Sequence, residues 1–290
     1  MTKVFITNSA RHLQTPLRRQ GLRQGRIEFY SFADGEHAFR LKDGVEGESV
    51  GVIGSVLPDP QSLFDLMALH RLVRENGARE TVLIVPYLGY ARQDRPNRPG
   101  EGSVGMMVID LLQKIDPSRL ILIDVHSDLI RRALNPSARE ISALPLLANA
   151  LSKRQLDAVV SPDAGYLSKA KQFAGLLDPP PAVAVIDKVR PRPNRAVARC
   201  LHGDVRGKHV VIADDMIDTG RTLAEAVRLV ALGGAKTIRL AATHGIFSED
   251  ARRRLSSLPI DSILITNTLP QIRHPKIRIL DICPLILNAL

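Results

Sequence analysis

Short apolar runs recur along this chain, and they are continuous rather than alternating. They occupy Ser49–Val56, Thr81–Leu88, Leu120–Val125, Asp157–Ser161, Ala182–Asp187, His209–Asp214, Thr237–Ala242, Ser262–Thr266 and Ile277–Ile282. Amphipathic helical stretches lie between them, among them Leu63–Glu75, Met106–Lys114, Leu146–Lys153 and Leu223–Leu232. A strand that is apolar on both faces has to be covered on both faces, and strands alternating with helices predict α/β architecture with parallel sheets. A length of 290 residues accommodates two such series. The least structured join is near Asn135–Ile141, so the expected domains are 1–142 and 143–290. Ligands of open α/β sheets bind beyond the carboxyl ends of the strands. The residues that follow each run are therefore the ones to read for chemistry.

Val210–Thr222, VVIADDMIDTGRT, is the strongest local signal. An apolar strand is expected to end in Asp214 and Asp215. A turn with Asp218, Thr219, Gly220, Arg221 and Thr222 then opens a helix, LAEAVRLVALGG. Such a turn offers free backbone N–H groups and the positive end of a helix dipole to an anion. Glycine allows close approach, and the threonine hydroxyls donate to phosphate oxygens. Carboxylates beside a phosphate seat make sense if they accept from sugar hydroxyls, so a sugar phosphate satisfies both sets. A simple helix cap would explain Asp218 or Thr219 alone.

The net charge of +10 admits nucleic acid or a small anionic substrate as partner. Aromatic residues make up only 4 % and there is no Trp, so platforms for stacked bases are scarce and nucleic-acid binding is not expected. No run reaches the ~18 apolar residues of a membrane span, and the start, MTKVFITNSARH, does not read as a signal peptide. Cys200 and Cys283 form neither a disulfide framework nor a zinc site. A reducing cytoplasm is the expected setting.

Other strand ends carry candidate chemistry. Pro86–Asp94, PYLGYARQD, leads into a loop with Arg92, Arg95 and Arg98, whose guanidinium forks suit polyphosphate oxygens. Asp124-Val125-His126 follows LILI, and Ser161-Pro162-Asp163-Ala164-Gly165 closes another strand. Asp187-Lys188-Val189-Arg190-Pro191 opens a long loop. Gly100–Gly105 satisfies GxGxxG, but the basic loop 92–99 separates it from any strand, which argues against a dinucleotide fingerprint. No GxxxxGK[ST], HExxH or CxxC occurs.

The DDMIDTG segment resembles the phosphoribosyl pyrophosphate motif of type I phosphoribosyltransferases and is most similar to the ribose-phosphate pyrophosphokinases. GGAKTIRLAATHGIFS, PYLGYARQD and the final TNTLP…PKIRILDICPLI are similar to the same family, and Phe32-Ala33-Asp34-Gly35-Glu36 resembles its FSDGE motif. The resemblance spans nearly the whole chain. It implies two tandem type I phosphoribosyltransferase-like domains, an ATP side in 1–142 and a ribose 5-phosphate side in 143–290. The implied reaction moves the pyrophosphoryl group of ATP to ribose 5-phosphate, giving phosphoribosyl pyrophosphate and AMP. By the same resemblance, Phe32, Asp34, Gly35, Glu36, Arg92, Gln93 and Asp94 bind ATP, the first four in a neighbouring subunit. Asp214, Asp215, Asp218, Thr219, Gly220, Arg221 and Thr222, with Arg190, bind the sugar phosphate. His126 and Asp163 hold Mg2+. Lys188 and Arg190 stabilise the transition state from a flap.

Several positions depart from the family. Arg95–Met107 replaces a more basic stretch, with Pro96, Gly100 and Met106 where relatives carry cations. Arg221 replaces a glycine of DTGGT, and Tyr166 the second glycine of PDAGG. Pro58–Leu66 differs from the usual polar pattern and puts allosteric control in doubt. Two alternatives remain beside the leading expectation: a phosphoribosyltransferase, and a non-catalytic regulatory paralogue. The shared adenine site implies self-association as a dimer or hexamer.

Overall fold

The computed structural model describes residues 2–189 and 198–290. The chain divides into two compact units. The first comprises Met1–Ser142, Thr268–Pro270 and Asp281–Leu290, and the second Ala143–Asn267 and Gln271–Leu280. The last ten residues, which the split at 142 left with the second half, thus fold into the first unit. The Arg119 guanidinium donates to the carbonyls of Ala289 (2.8 Å) and Leu290 (3.0 Å) there.

In chain order the first unit contains β1 (Lys3–Ile6), α1 (Gln14–Arg19), β2 (Arg23–Gln24), β3 (Ile27–Ser31), β4 (His37–Leu41), β5 (Ser49–Ile53), α2 (Pro60–Glu75), β6 (Glu80–Val85), α3 (Val104–Lys114), β7 (Arg119–Ile123), α4 (Asp128–Arg132) and β8 (Ala138–Ile141). Six strands form a parallel sheet in the order β2-β1-β5-β6-β7-β8. β3 and β4 form a separate antiparallel hairpin. Val50, Val52, Leu83, Val85, Leu120 and Leu122 of the sheet pack on Leu66, Leu69 and Val73 of α2 and on Ile109 and Leu112 of α3. The helix expected from Leu63 starts three residues earlier. Asp59 caps it by accepting from the Gln61 amide (3.0 Å), and Pro60 occupies its first position. Periodicity does not register a polar first turn.

The second unit contains α5 (Leu144–Leu151), β9 (Ala158–Ser161), α6 (Leu167–Gly175), β10 (Ala182–Val189), β11 (Ala198–His202), β12 (His209–Ile217), α7 (Arg221–Leu232), β13 (Thr237–Gly245), α8 (Ala251–Ser256), β14 (Ser262–Thr266) and β15 (Ile277–Leu280). The chain then returns to the first unit with α9 (Cys283–Ala289). The second sheet runs β11-β10-β9-β12-β13-β14-β15, parallel except for the antiparallel edge strand β11. One apolar cluster holds Val210 and Ile212 of β12 against Leu223, Val227 and Val230 of α7. Another holds Val211 and Ala213 with Leu144, Leu147 and Phe173.

Each sheet reverses its winding once. In the first, β1 leads to β2 on one side and β5 starts the other. In the second, β9 leads to β10 on one side and β12 starts the other. A crevice is expected at the carboxyl ends of those central strands. In the first unit the chain just after β5 is tightly packed. A Cβ on Gly54, just after β5, would lie 2.4 Å from Thr7 Oγ1 and 2.9 Å from a Leu66 methyl. In the second unit Asp163 follows β9, and Asp218, Thr219 and Gly220 follow β12. Among the described residues, no helix is long and apolar enough to cross a membrane.

Candidate functional site

In the second unit the buried run Val210–Ala213 carries β12 up to Asp214. The strand does not stop there. It stays paired to β13 as far as Ile217 opposite Gly245, three residues beyond the expected end. Fully buried Ile217 keeps the ladder going, which two acids in the sequence concealed. Asp214 is half-buried and its Oδ1 accepts the Asp215 amide (2.9 Å). Burial, and next the charge of Asp215, push the Asp214 carboxyl well above the usual carboxylate range, with Asp163 adding to the rise. Asp215 is buried. Asp163 is exposed at the end of β9, where its carboxylate accepts the Tyr166 amide (3.0 Å) and its carbonyl accepts the Ser161 hydroxyl (2.7 Å). Tyr166 itself is buried in the core, so the departure from glycine there fills the interior.

After β12 the chain turns through Asp218, Thr219 and Gly220 into α7. Gly220 is left-handed (φ 68°), and a Cβ would come within 3.1 Å of Leu255 Cγ. Both the backbone and the close contact call for glycine. Gly220 has no side chain to cap the helix, only a long contact from the Arg221 amide to Thr219 Oγ1 (3.5 Å) reaches its start, and no acid lies in its first turn. Its first amides therefore have no intrahelical carbonyl to bond, and they stand at the positive end of the dipole. Three groups brace this loop from the segment after β13. The Ser248 hydroxyl donates to the Asp218 carboxylate, and the Arg254 guanidinium donates to the Thr219 carbonyl. Glu249 accepts from Arg221 (2.9 Å). Glu249 and Arg254 carried no signal in the sequence, because these contacts span about thirty positions. Lys188 has its backbone in β10, opposite Arg199 of β11. Arg190 lies outside the described residues.

In the first unit β6 feeds the segment 86–94. Tyr87, Leu88 and Ala91 are buried and anchor it, and this leaves Arg92 and Gln93 exposed. Asp94 accepts the hydroxyl of buried Ser127 (2.6 Å), which ties this loop to the one after β7. Ser127 also accepts the Ile130 amide (3.1 Å) and so caps α4. The Glu140 carboxylate takes the Val125 amide (2.6 Å), while Arg131 donates to the Val125 carbonyl (2.8 Å). His126 stands exposed between Val125, held by these two contacts, and Ser127, held to Asp94. Gly105 opens α3 against the backbone, where a Cβ would meet the Tyr90 carbonyl oxygen at 2.6 Å. Its glycine serves packing, consistent with the rejected dinucleotide fingerprint. Phe32, Asp34, Gly35 and Glu36 form the exposed tip of the β3–β4 hairpin. The Phe32 amide donates to the Glu36 carbonyl (2.9 Å), the Glu36 amide donates to Asp34 (3.1 Å), and Tyr30 meets Phe32 edge-on. Among the described residues no group of three or more His, Cys, Asp or Glu side chains gathers as a metal cage.

Comparison with known proteins agrees across both units. The profile described as the N-terminal domain of ribose phosphate pyrophosphokinase matches residues 2–115, and the phosphoribosyl synthetase-associated domain matches residues 160–290. The ribose-phosphate pyrophosphokinase of Aquifex aeolicus is 36 % identical over 276 residues, covering 93 % of this chain and 88 % of that protein. That of Caldanaerobacter subterraneus is 34 % identical over 99 % of this chain and 93 % of its own length. The crystal structure of phosphoribosylpyrophosphate synthetase from Mycobacterium smegmatis superposes with a TM-score of 0.89 at 30 % identity, covering 99 % of this chain and 97 % of that one.

Proposed function

The chain belongs to the ribose-phosphate pyrophosphokinase family, and from that premise we propose that it transfers the β,γ-pyrophosphoryl group of ATP to the anomeric hydroxyl of ribose 5-phosphate, releasing phosphoribosyl pyrophosphate and AMP. One observation carries the reading of the sugar site. The N-terminus of α7, with no side chain on left-handed Gly220 to cap it and no acid in its first turn, follows β12 at the switch point of the second sheet, and β12 carries Asp214 and Asp215. The 5-phosphate is held there by first-turn amides and the hydroxyls of Thr219 and Thr222, as helix N-termini hold anions. Asp214, Asp215 and Asp218 accept the sugar hydroxyls. Arg221 adds positive charge at the rim.

ATP is the ligand of the first-unit loops. Exposed Arg92 and Gln93 meet its polyphosphate and base, and Asp94 holds their loop to Ser127. Phe32, Asp34, Gly35 and Glu36 form an exposed hairpin tip suited to the adenine bound by a neighbouring copy. The active form is therefore at least a dimer. Lys188 and Arg190 stabilise charge on the transferred group, where positioning and electrostatics supply most of the rate.

The reaction takes Mg2+, and the donor set fits it. Asp163 offers an exposed carboxylate next to a site whose acids already repel one another, and magnesium keeps waters and few protein ligands. His126 suits contact through a bound water. When bound, the cation neutralises polyphosphate oxygens. The two free cysteines suit a reducing cytoplasm. AMP release from ATP that requires both ribose 5-phosphate and Mg2+ is the test. Purified protein that releases none under those conditions contradicts the assignment.

A further inference from the structure

We propose that Glu249 is a positioning residue for the sugar-phosphate loop: in the free enzyme it holds the Arg221 guanidinium aside, and an arriving phosphomonoester dianion takes that guanidinium over. The inference rests on the reading of this loop as the seat of ribose 5-phosphate. Arg221 is the first residue of α7, so its cation stands at the positive end of the helix dipole, an unfavourable place for it. No acid in the helix's own first turn offsets it. The counter-charge comes from another element, with Glu249 Oε2 at 2.9 Å from the guanidinium. Both side chains are well exposed, 69 % and 50 %, so the pair is weak and exchangeable. A phosphate dianion accepts guanidinium hydrogens in a fork and carries more charge than one carboxylate.

Glu249 is placed for this role by strained backbone. Phe247 (φ 53°) and Glu249 (φ 51°) are both left-handed non-glycine residues, a conformation that surrounding contacts must enforce. Two of those contacts run to the loop itself, and a third lies within the segment. Ser248 donates to Asp218, Arg254 donates to the Thr219 carbonyl, and Arg252 lies over the Phe247 ring at 4.7 Å. Arg254 also stands 3.8 Å from the Glu249 carboxylate. It keeps its carbonyl partner if that carboxylate is neutralised, so the brace survives the substitution.

The test is calorimetric titration of the full-length protein with ribose 5-phosphate, for wild type, Glu249→Gln, Arg221→Gly and the double variant. Glu249→Gln is expected to tighten binding about three- to five-fold at low salt, the scale of an exposed ion pair plus a removed like charge, and the gain shrinks as salt is raised. In the Arg221→Gly background the same change should move Kd by less than about 1.5-fold, because the pair no longer exists. Arg221→Gly alone should weaken binding and flatten its salt dependence, and this readout stands if Glu249→Gln folds poorly. Weaker binding in Glu249→Gln, or an equal gain with and without Arg221, overturns the inference while the functional reading survives. A wild-type protein that does not bind ribose 5-phosphate overturns both.

Discussion

The two units place a strand, a loop and a long helix in the same topological slot and treat it oppositely. In the first unit β5 leads to α2. Gly54 packs on Thr7, the Asp59 carboxylate caps the helix, and Pro60 removes one amide from its first turn. In the second unit β12 leads to α7, with left-handed Gly220, no side-chain cap and no first-turn acid. A helix dipole satisfied by its own chain has nothing left for a ligand, whereas an unsatisfied one selects anions. The first unit therefore presents candidate ligand groups as side chains one and two strands away, after β6 and β7. Topology sets the switch point, and local residues decide whether the helix that follows it is capped by its own chain.

The largest contrast to test is the response to acid. Burial lowers the His70 pKa to about 4 in the folded first unit. Between that value and the ordinary 6.5 the unfolded chain binds more protons, so stability rises with pH there and falls on acidification, by up to about 3 kcal/mol. Asp214 shifts upward, so the folded second unit binds the extra proton and its contribution falls as pH rises. Hydrogen exchange of β6 and β12 amides in metal-free buffer should show opposite contributions, removed by His70→Gln and Asp214→Asn respectively. If both variants leave the pH profiles unchanged, this contrast fails.

Next come the paired glycines. Gly54→Ala should cost about 1–3 kcal/mol of stability through overpacking, with an unchanged KM for ribose 5-phosphate. Gly220→Ala should raise that KM by about tenfold, equivalent to about 1.4 kcal/mol. Equal effects on both readouts would erase the distinction between a packing glycine and a glycine of the sugar site. Asp59→Ala should destabilise by about 1 kcal/mol through its lost cap, again without touching the sugar site. The smallest expected effect is at Ser127→Ala, which releases Asp94 and should raise the KM for ATP about threefold, the worth of one ordinary hydrogen bond. An unchanged value would mean that the loop with Arg92 and Gln93 is held by its buried Tyr87 and Leu88 alone.

Much of this could be read from residue order. Runs such as Thr81–Leu88 and Leu120–Val125 mark β6 and β7 because strands covered on both faces must be apolar throughout. Their ends are less legible. Gly54, Ser55 and Val56 are buried beyond the end of β5 and keep only scattered bonds to the neighbouring segment, the Gly54 amide to the Ile84 carbonyl (3.0 Å) and the Val56 amide to the Tyr87 carbonyl (2.9 Å), while the acids of β12 disguise a strand that continues to Ile217. The β3–β4 hairpin, exposed at its tip, left only a turn signal at Asp34-Gly35. The brace formed by Ser248, Glu249 and Arg254 left none as a brace, since nothing local distinguishes it from any polar helix start.

The sequence by itself determined the α/β class, the strand–turn–helix built around Gly220 and the acids beside it, because periodicity, glycine freedom and unpaired amides act over a few residues. Tertiary structure alone decided which strand ends meet at each switch point, that Gly54 packs tightly on Thr7 and Leu66, that the C-terminal helix returns to the first unit, and that Glu249 reaches Arg221. Those outcomes depend on contacts between segments far apart in the chain, whose stability comes from burial accumulated over the whole fold.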